Sequence, residues 1–275
     1  MKRNLVGVSI FAVIVGMMVV SFFLGEGSGN VAVIEISGAI MGEASGYGSA
    51  GSQDYVALLQ QAHDDTSIEA IVLRINSPGG SAVASDEVAA MVQDIEKPVV
   101  AQIREVGASG AYWIASSSDH IIANRMSITG SIGVIGSFFD FSGLMNDYNV
   151  SYQRFVSGDR KDLGSPFREM SDDERALLQS KLDGIHEYFI LAVAENRGLD
   201  IETVRPLANG EFYLGVEALQ NGLVDELGGD KEVIAWLTAQ GVDPVFVEYA
   251  TQPSLTDLFT GVEVPGLFTE FVIRT

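Results

Sequence analysis

The stretch IEAIVLRINSPGG, Ile68 to Gly80, decides how this chain is built. Its apolar residues run on without alternation, as in a strand covered on both faces, and the run stops abruptly at Pro78, Gly79 and Gly80. Working outward, VAVIEISGAI (31–40), KPVVAQI (97–103) and DHIIAN (119–124) have the same continuous character, and helical stretches separate several of them. Helices are expected over about Asp54–His63 and Ser85–Asp94. Strands of this kind interleaved with helices predict an α/β fold with a mostly parallel sheet. GSIGVIG (130–136) and VSYQRFVSG (150–158) are read as further strands.

The clearest helix is SDDERALLQSKLDGIHEYFILAVAENRGL from Ser171, where Ser171 and Glu174 have capping-box spacing and Gly198 supplies the stop. Shorter helices are expected at Ile201–Leu207, Gly215–Asn221 and Asp230–Gln240.

The 275 residues are 47% hydrophobic, enough for one substantial core. A formal net charge of -21 argues against nucleic acid as a partner, because a polyanion is repelled by such a surface. With no cysteine, thiolate metal sites, disulfides and cysteine nucleophiles are excluded. His63, His120 and His186 lack metal-ligand spacing, so no metal or other cofactor is expected.

MKRN precedes an uncharged run, LVGVSIFAVIVGMMVVSFFL (5–24), long enough to cross about 30 Å of hydrocarbon as a helix. It exceeds the usual length of a cleavable signal's apolar stretch and favours an uncleaved signal anchor. Lys2 and Arg3 then keep residues 1–4 cytoplasmic, and the rest is exported. The expected organisation is residues 1–4 inside, a transmembrane helix at 5–24, a tether with first strand and loop at 25–52, a main domain at 53–245, and an unassigned extension at 246–275.

The chemistry gathers around GASGAYWIAS (107–116), in which Ser109 precedes a helix. Gly79 and Gly80 permit dihedrals that turn an amide toward a ligand, and Gly110, first in its helix, has an N–H without an intrahelical acceptor. Gly80 and Gly110 are thus candidate oxyanion donors. A serine hydroxyl needs a base. Beyond residue 30 the lysines are Lys97, Lys161, Lys181 and Lys231; Lys161 alone lies in a glycine-flanked, proline-terminated loop, and the other three read as solvated.

LRINSPGGSAVASDEV, GASGAYWIASSSDHIIAN, SITGSIGVIG and SGDRKDLGSPFREMS, in this order, resemble the signal peptide peptidase A family of serine-lysine peptidases, family S49, over about residues 30–240. The resemblance implies a Clp/crotonase-like ββα superhelix, Ser109 as nucleophile and Lys161 as base. Clp-type relatives place a histidine where this chain has Val134. Ser131 in TGSIGV is a candidate for orienting the lysine, or a turn serine. The resemblance also implies released signal peptides as substrates, cut within their hydrophobic segments, and ring-like homo-oligomers, with Lys161 serving Ser109 either of its own subunit or of an adjacent one. Asp159 and Asp162 flank Lys161 and must point away for its amine to lose its proton. Alternatives are a related protease acting on a membrane protein, a crotonase-like acyl-CoA enzyme, and a silent scaffold. YGSAGS (47–52) and FFDFSGL (138–144) are candidate walls of a groove for an apolar peptide, and Tyr112 and Trp113 read as core.

Overall fold

A computed structural model describes residues 29–43 and 51–250. The expected transmembrane run at 5–24 and most of the extension lie outside them. Among the described residues no helix is long and apolar enough to cross a membrane.

The fold is mixed α/β. Among the described residues one sheet holds eight strands: β1 (Val31–Ser37), β2 (Ala70–Ser77), β3 (Val99–Ala108), β4 (His120–Ala123), β5 (Ile128–Gly130), β6 (Phe212–Leu214), β7 (Glu226–Leu227) and β8 (Phe246–Tyr249). The main path runs β6-β5-β3-β2-β1-β8, with β4 on β3 and β7 on β4. All pairings are parallel except β5 with β6.

Both faces are covered, as the unbroken apolar runs require. On one face Ile34, Ile36, Leu73 and Ile75 pack under α1 (Ser52–Asp64), α2 (Ala82–Gln93) and α3 (Gly110–Ser116). On the other, Val31, Val33, Val72 and Val100 meet Val233 and Leu237 of α8 (Asp230–Ala239). Between α3 and α8 lie α4 (Ser142–Asp147), α5 (Asp172–Arg197), α6 (Ile201–Leu207) and α7 (Gly215–Gln220). The long helix α5 starts on the capping box: the Ser171 amide donates to Glu174 Oε2 at 3.1 Å, and Gly198 closes it at φ 61°. Phe189 of α5 stacks on Trp113 of α3, ring centroids 4.7 Å apart.

Three expectations fail. Residues 151–156 form no strand: this stretch is exposed, with Phe155 93% accessible, and among the described residues no strand lies beside it, Tyr152 meeting only the Phe167 ring at 5.6 Å between centroids. GSIGVIG contributes only Gly130 to a strand, because Ser131 at φ 50° turns the chain out of the sheet. Lys97 is also not solvated. Its ammonium donates to the carbonyls of Ala62 at 2.8 Å and Asp65 at 2.7 Å, satisfying the end of α1. Tyr112 and Trp113 are core, and the Tyr112 hydroxyl donates to the Leu223 carbonyl at 2.8 Å.

Candidate active site

The site begins where β3 breaks into α3. Ser109 lies on that break with φ 54° and ψ -127°, a conformation that a residue with a Cβ rarely adopts. Its amide donates to the Gly130 carbonyl at 2.8 Å, while its carbonyl accepts from Tyr112 and Trp113 at 2.9 and 3.0 Å. The backbone is fixed on both sides, yet the Ser109 hydroxyl makes no hydrogen bond among the described residues. It is half-buried and opens into a cleft.

The Pro-Gly-Gly break presses against this turn. A Cβ on Gly79 would lie 2.7 Å from the Gly110 nitrogen and 2.8 Å from the Ser109 Cβ. One on Gly110 would lie 2.1 Å from Ser85 Oγ and 3.4 Å from the Gly80 nitrogen. Glycine is therefore what lets the two backbones approach. Ile40 seals the arrangement from outside: its amide donates to the Gly79 carbonyl at 3.0 Å, and its carbonyl accepts from Ser81 at 2.8 Å. Among the described residues the amides of Gly80 and Gly110 reach no carbonyl. Two unpaired donors thus sit beside an unpaired hydroxyl.

The cleft, about 450 Å³, is lined by Ser109, Ser131, Val134, Ile135 and Leu182, and by the polar groups of Gln179, Asp183, His186 and Asn209. Ser131, at φ 50°, faces it, and its hydroxyl is 3.4 Å from the Gly210 carbonyl. The structure therefore gathers Ser109, Gly80, Gly110 and Ser131. Val134 lines the same cleft but carries no titratable group. His186, which nothing in the local sequence ties to Ser109, lines the same cleft because α5 brings it in from far along the chain; its Nε2 is buried without a hydrogen-bond partner among the described residues.

Lys161 is not in this cleft within one chain. It is exposed in the turn after Gly158, where its amide donates to the Gly158 carbonyl at 3.1 Å, and its amine makes no hydrogen bond or ion pair among the described residues. Beside it, the Asp162 carboxylate is turned onto Arg168 and Arg154, which hold it far below the ordinary carboxylate range. Arg168 also pairs with Glu174, whose carboxyl that guanidinium, helped by the Ser171 amide, brings down to about 2. No cluster of three or more acidic or histidine side chains suited to a metal occurs among the described residues.

An α/β scaffold that sets a serine on a strained strand-to-helix turn against unpaired amides has the layout of a serine-type hydrolase. Comparison with known proteins makes the class narrower. The family model of Peptidase family S49 matches residues 91–242, more than half of the chain. A candidate protease of Methanocaldococcus jannaschii is 36% identical over 202 residues, covering 72% of this chain and 65% of its own. Protease 4 of Haemophilus influenzae is 36% identical over 208 residues, covering 74% of this chain and 34% of that protein. A candidate signal peptide peptidase of Enterococcus faecium is 33% identical over 202 residues, covering 72% of this chain and 59% of its own. The chain belongs to peptidase family S49. It matches less than two thirds of each of these three relatives.

Proposed function

We propose that this chain is a membrane-anchored serine endopeptidase with a Ser109–Lys161 dyad that cuts released signal peptides within their hydrophobic segments. In this reading the Lys161 amine takes the proton of the Ser109 hydroxyl, and Ser109 Oγ attacks the peptide carbonyl carbon. The amides of Gly80 and Gly110 receive the developing oxyanion. The proton passes to the leaving amine, and water then releases the acyl group from Ser109. Ser131, on the cleft wall, orients the incoming amine. The scaffold is of the Clp/crotonase type, the run at 5–24 is the anchor, and the catalytic domain faces outward from the cytoplasmic membrane.

The observation that carries the reading is the free Ser109 hydroxyl on a strained turn beside two unpaired amides. Membership of family S49 and the name of the Enterococcus relative support the substrate class. The cleft has an aspartate and no lysine or arginine among its described lining residues, which speaks against an acyl-CoA enzyme.

Because Lys161 lies outside the cleft of its own chain, the base comes from a neighbouring subunit in a homo-oligomer. The exposed apolar residues Ile135, Phe139, Tyr148 and Phe155, 75–93% accessible, supply a surface for that neighbour. The test mixes inactive S109A and K161A subunits. In a head-to-tail ring assembled at random from equal amounts, about a quarter of the sites join an intact serine to an intact lysine, so about a quarter of wild-type activity returns. No recovery in an assembly shown to contain both variants rules out sharing, and full activity of either variant alone rules out the dyad.

A further inference from the structure

The segment from Ile135 to Phe167 is largely exposed, yet one part of it is tightly held. The Asp162 carboxylate is only 12% accessible and receives four hydrogen bonds from two guanidinium groups. Arg154 contributes two at 2.6 Å, and Arg168 contributes two at 2.9 and 3.1 Å. Arg168 reaches onward to Glu174 at 2.5 and 2.8 Å, and Glu174 is the capping-box residue in the first turn of α5. Successive turns bonded to Gly158, Arg160 and Asp162 carry Lys161 between the positive-φ residues Gly158 and Gly164. A polar network of this density on an exposed segment exceeds what solubility requires, since isolated surface pairs contribute little.

We propose that Asp162, clamped by Arg154 and Arg168 and moored through Arg168 to Glu174, is the positioning residue for Lys161. The proposal rests on the reading of Lys161 as the base. Two consequences of the clamp serve that role. First, it fixes the lysine turn to the start of α5 of its own chain through Arg168 and Glu174, so that the amine is presented to the neighbouring subunit from a rigid base. Second, it neutralises the carboxylate adjoining the lysine, which would otherwise favour the ammonium. The charged groups around the turn are Arg154, Asp159, Arg160, Asp162, Arg168 and Glu174. A forked, planar guanidinium is suited to this task and a lysine is not.

The test uses the full-length protein in detergent, with Asp162→Asn, Arg168→Gln, the milder Arg154→Lys, and Glu248→Gln as a control that breaks an ion pair at the opposite edge of the sheet. Steady-state kinetics across pH are measured beside the rate of tryptic cleavage after Arg160 and Lys161. Asp162→Asn is expected to lower kcat about tenfold or more with KM little changed, as misplacement of a reacting group does. Both clamp variants should speed tryptic cleavage. The pH of half-maximal rate should move down in Asp162→Asn, which leaves guanidinium charge unopposed, and up in Arg168→Gln, which leaves the carboxylate less compensated. Asp162→Glu should restore part of the rate. Wild-type kcat in Asp162→Asn overturns the proposal, and so does a loss of rate with the half-maximal pH unmoved in both variants, which marks a structural role only. If Asp162→Asn or Arg168→Gln does not fold, Arg154→Lys decides: unchanged kcat and unchanged trypsin sensitivity overturn the proposal. An active K161A would instead bring down the reading of the base, while the trypsin result would still report on the clamp.

Discussion

The sharpest prediction concerns Gly80. A Cβ at this position would stand 1.9 Å from the Ile40 carbonyl oxygen and 2.7 Å from the Ile40 nitrogen, all backbone atoms. Ordinary carbon–oxygen contact is about 3.3 Å, so Gly80→Ala must drive the two backbones apart by about 1.4 Å. Rotating a side chain brings no relief. The displaced segment carries the hydrogen bonds of Ile40 to Gly79 and of Ser81 to Ile40, and its other face is the Gly80 amide beside Gly110. A shift of about 1 Å at a catalytic group costs on the order of a hundredfold, and loss of one oxyanion donor costs about a hundred- to a thousandfold. Overpacking costs about 1–3 kcal/mol, which for a domain of this size lowers Tm by about 2–12 °C. We therefore expect kcat on a fluorogenic peptide to fall at least about a hundredfold while the protein still melts cooperatively. Gly80→Ala with near-wild-type kcat and Tm would refute the reasoning, since neither the close approach nor the donor role would then hold.

The remaining predictions are simpler. Gly184→Ala, in α5 where an added Cβ meets nothing within 4 Å, should raise stability by about 0.4–1 kcal/mol by chemical denaturation and leave activity alone. Tyr112→Phe leaves the buried Leu223 carbonyl without its donor and should cost about 1–3 kcal/mol in the same assay. Glu174 has its folded pKa depressed to about 2 and Asp65 likewise, Asp65 chiefly through hydrogen bonds from the Ser67 side chain and amide. The stability each adds is complete above the unfolded carboxylate range near pH 4 and is lost as pH falls toward 2. Thermal melts should therefore hold steady down to about pH 4 and drop below it, and a Tm that rises on acidification through that window contradicts the sign.

Much of the scaffold is written locally. β1 to β4 follow from unbroken apolar runs, and α5 from Ser171, Glu174 and Gly198, because these signals depend on neighbours in sequence. What stayed hidden depends on neighbours in space. β6 is three residues long and exists only because β5 runs beside it. The expected strand at 150–158 has suitable residue types, but among the described residues no strand lies beside it. Lys97 looked solvated because its acceptors are backbone carbonyls at the end of α1, which leave no mark in the sequence. Ser109, Gly80, Gly110 and Ser131 could be picked out as site candidates because each sits at a break in a regular element. His186 lies inside a helix whose pattern explains it fully as structure, and only the fold brings it into the cleft that Ser109 lines.

One feature of the sheet sets what the cleft is able to be. Strand β3 meets β2 along one side, but along the other it meets β4 at Val100–Ile103 and then β5 at Val106–Ala108. The Ser127 hydroxyl bridges this handover by donating to the carbonyls of Ile103 and Arg104. The end of β3 that bears Ser109 therefore belongs to the same ladder as β5 and β6, and the Gly210 wall continues from β6. Anvil and jaw are therefore of different material: one wall is hydrogen-bonded sheet backbone, and the facing wall is the side chains that α5 presents at Gln179, Leu182, Asp183 and His186. Replacements on α5 will alter the width of the gap while the wall that bears Ser109 stays where the sheet holds it.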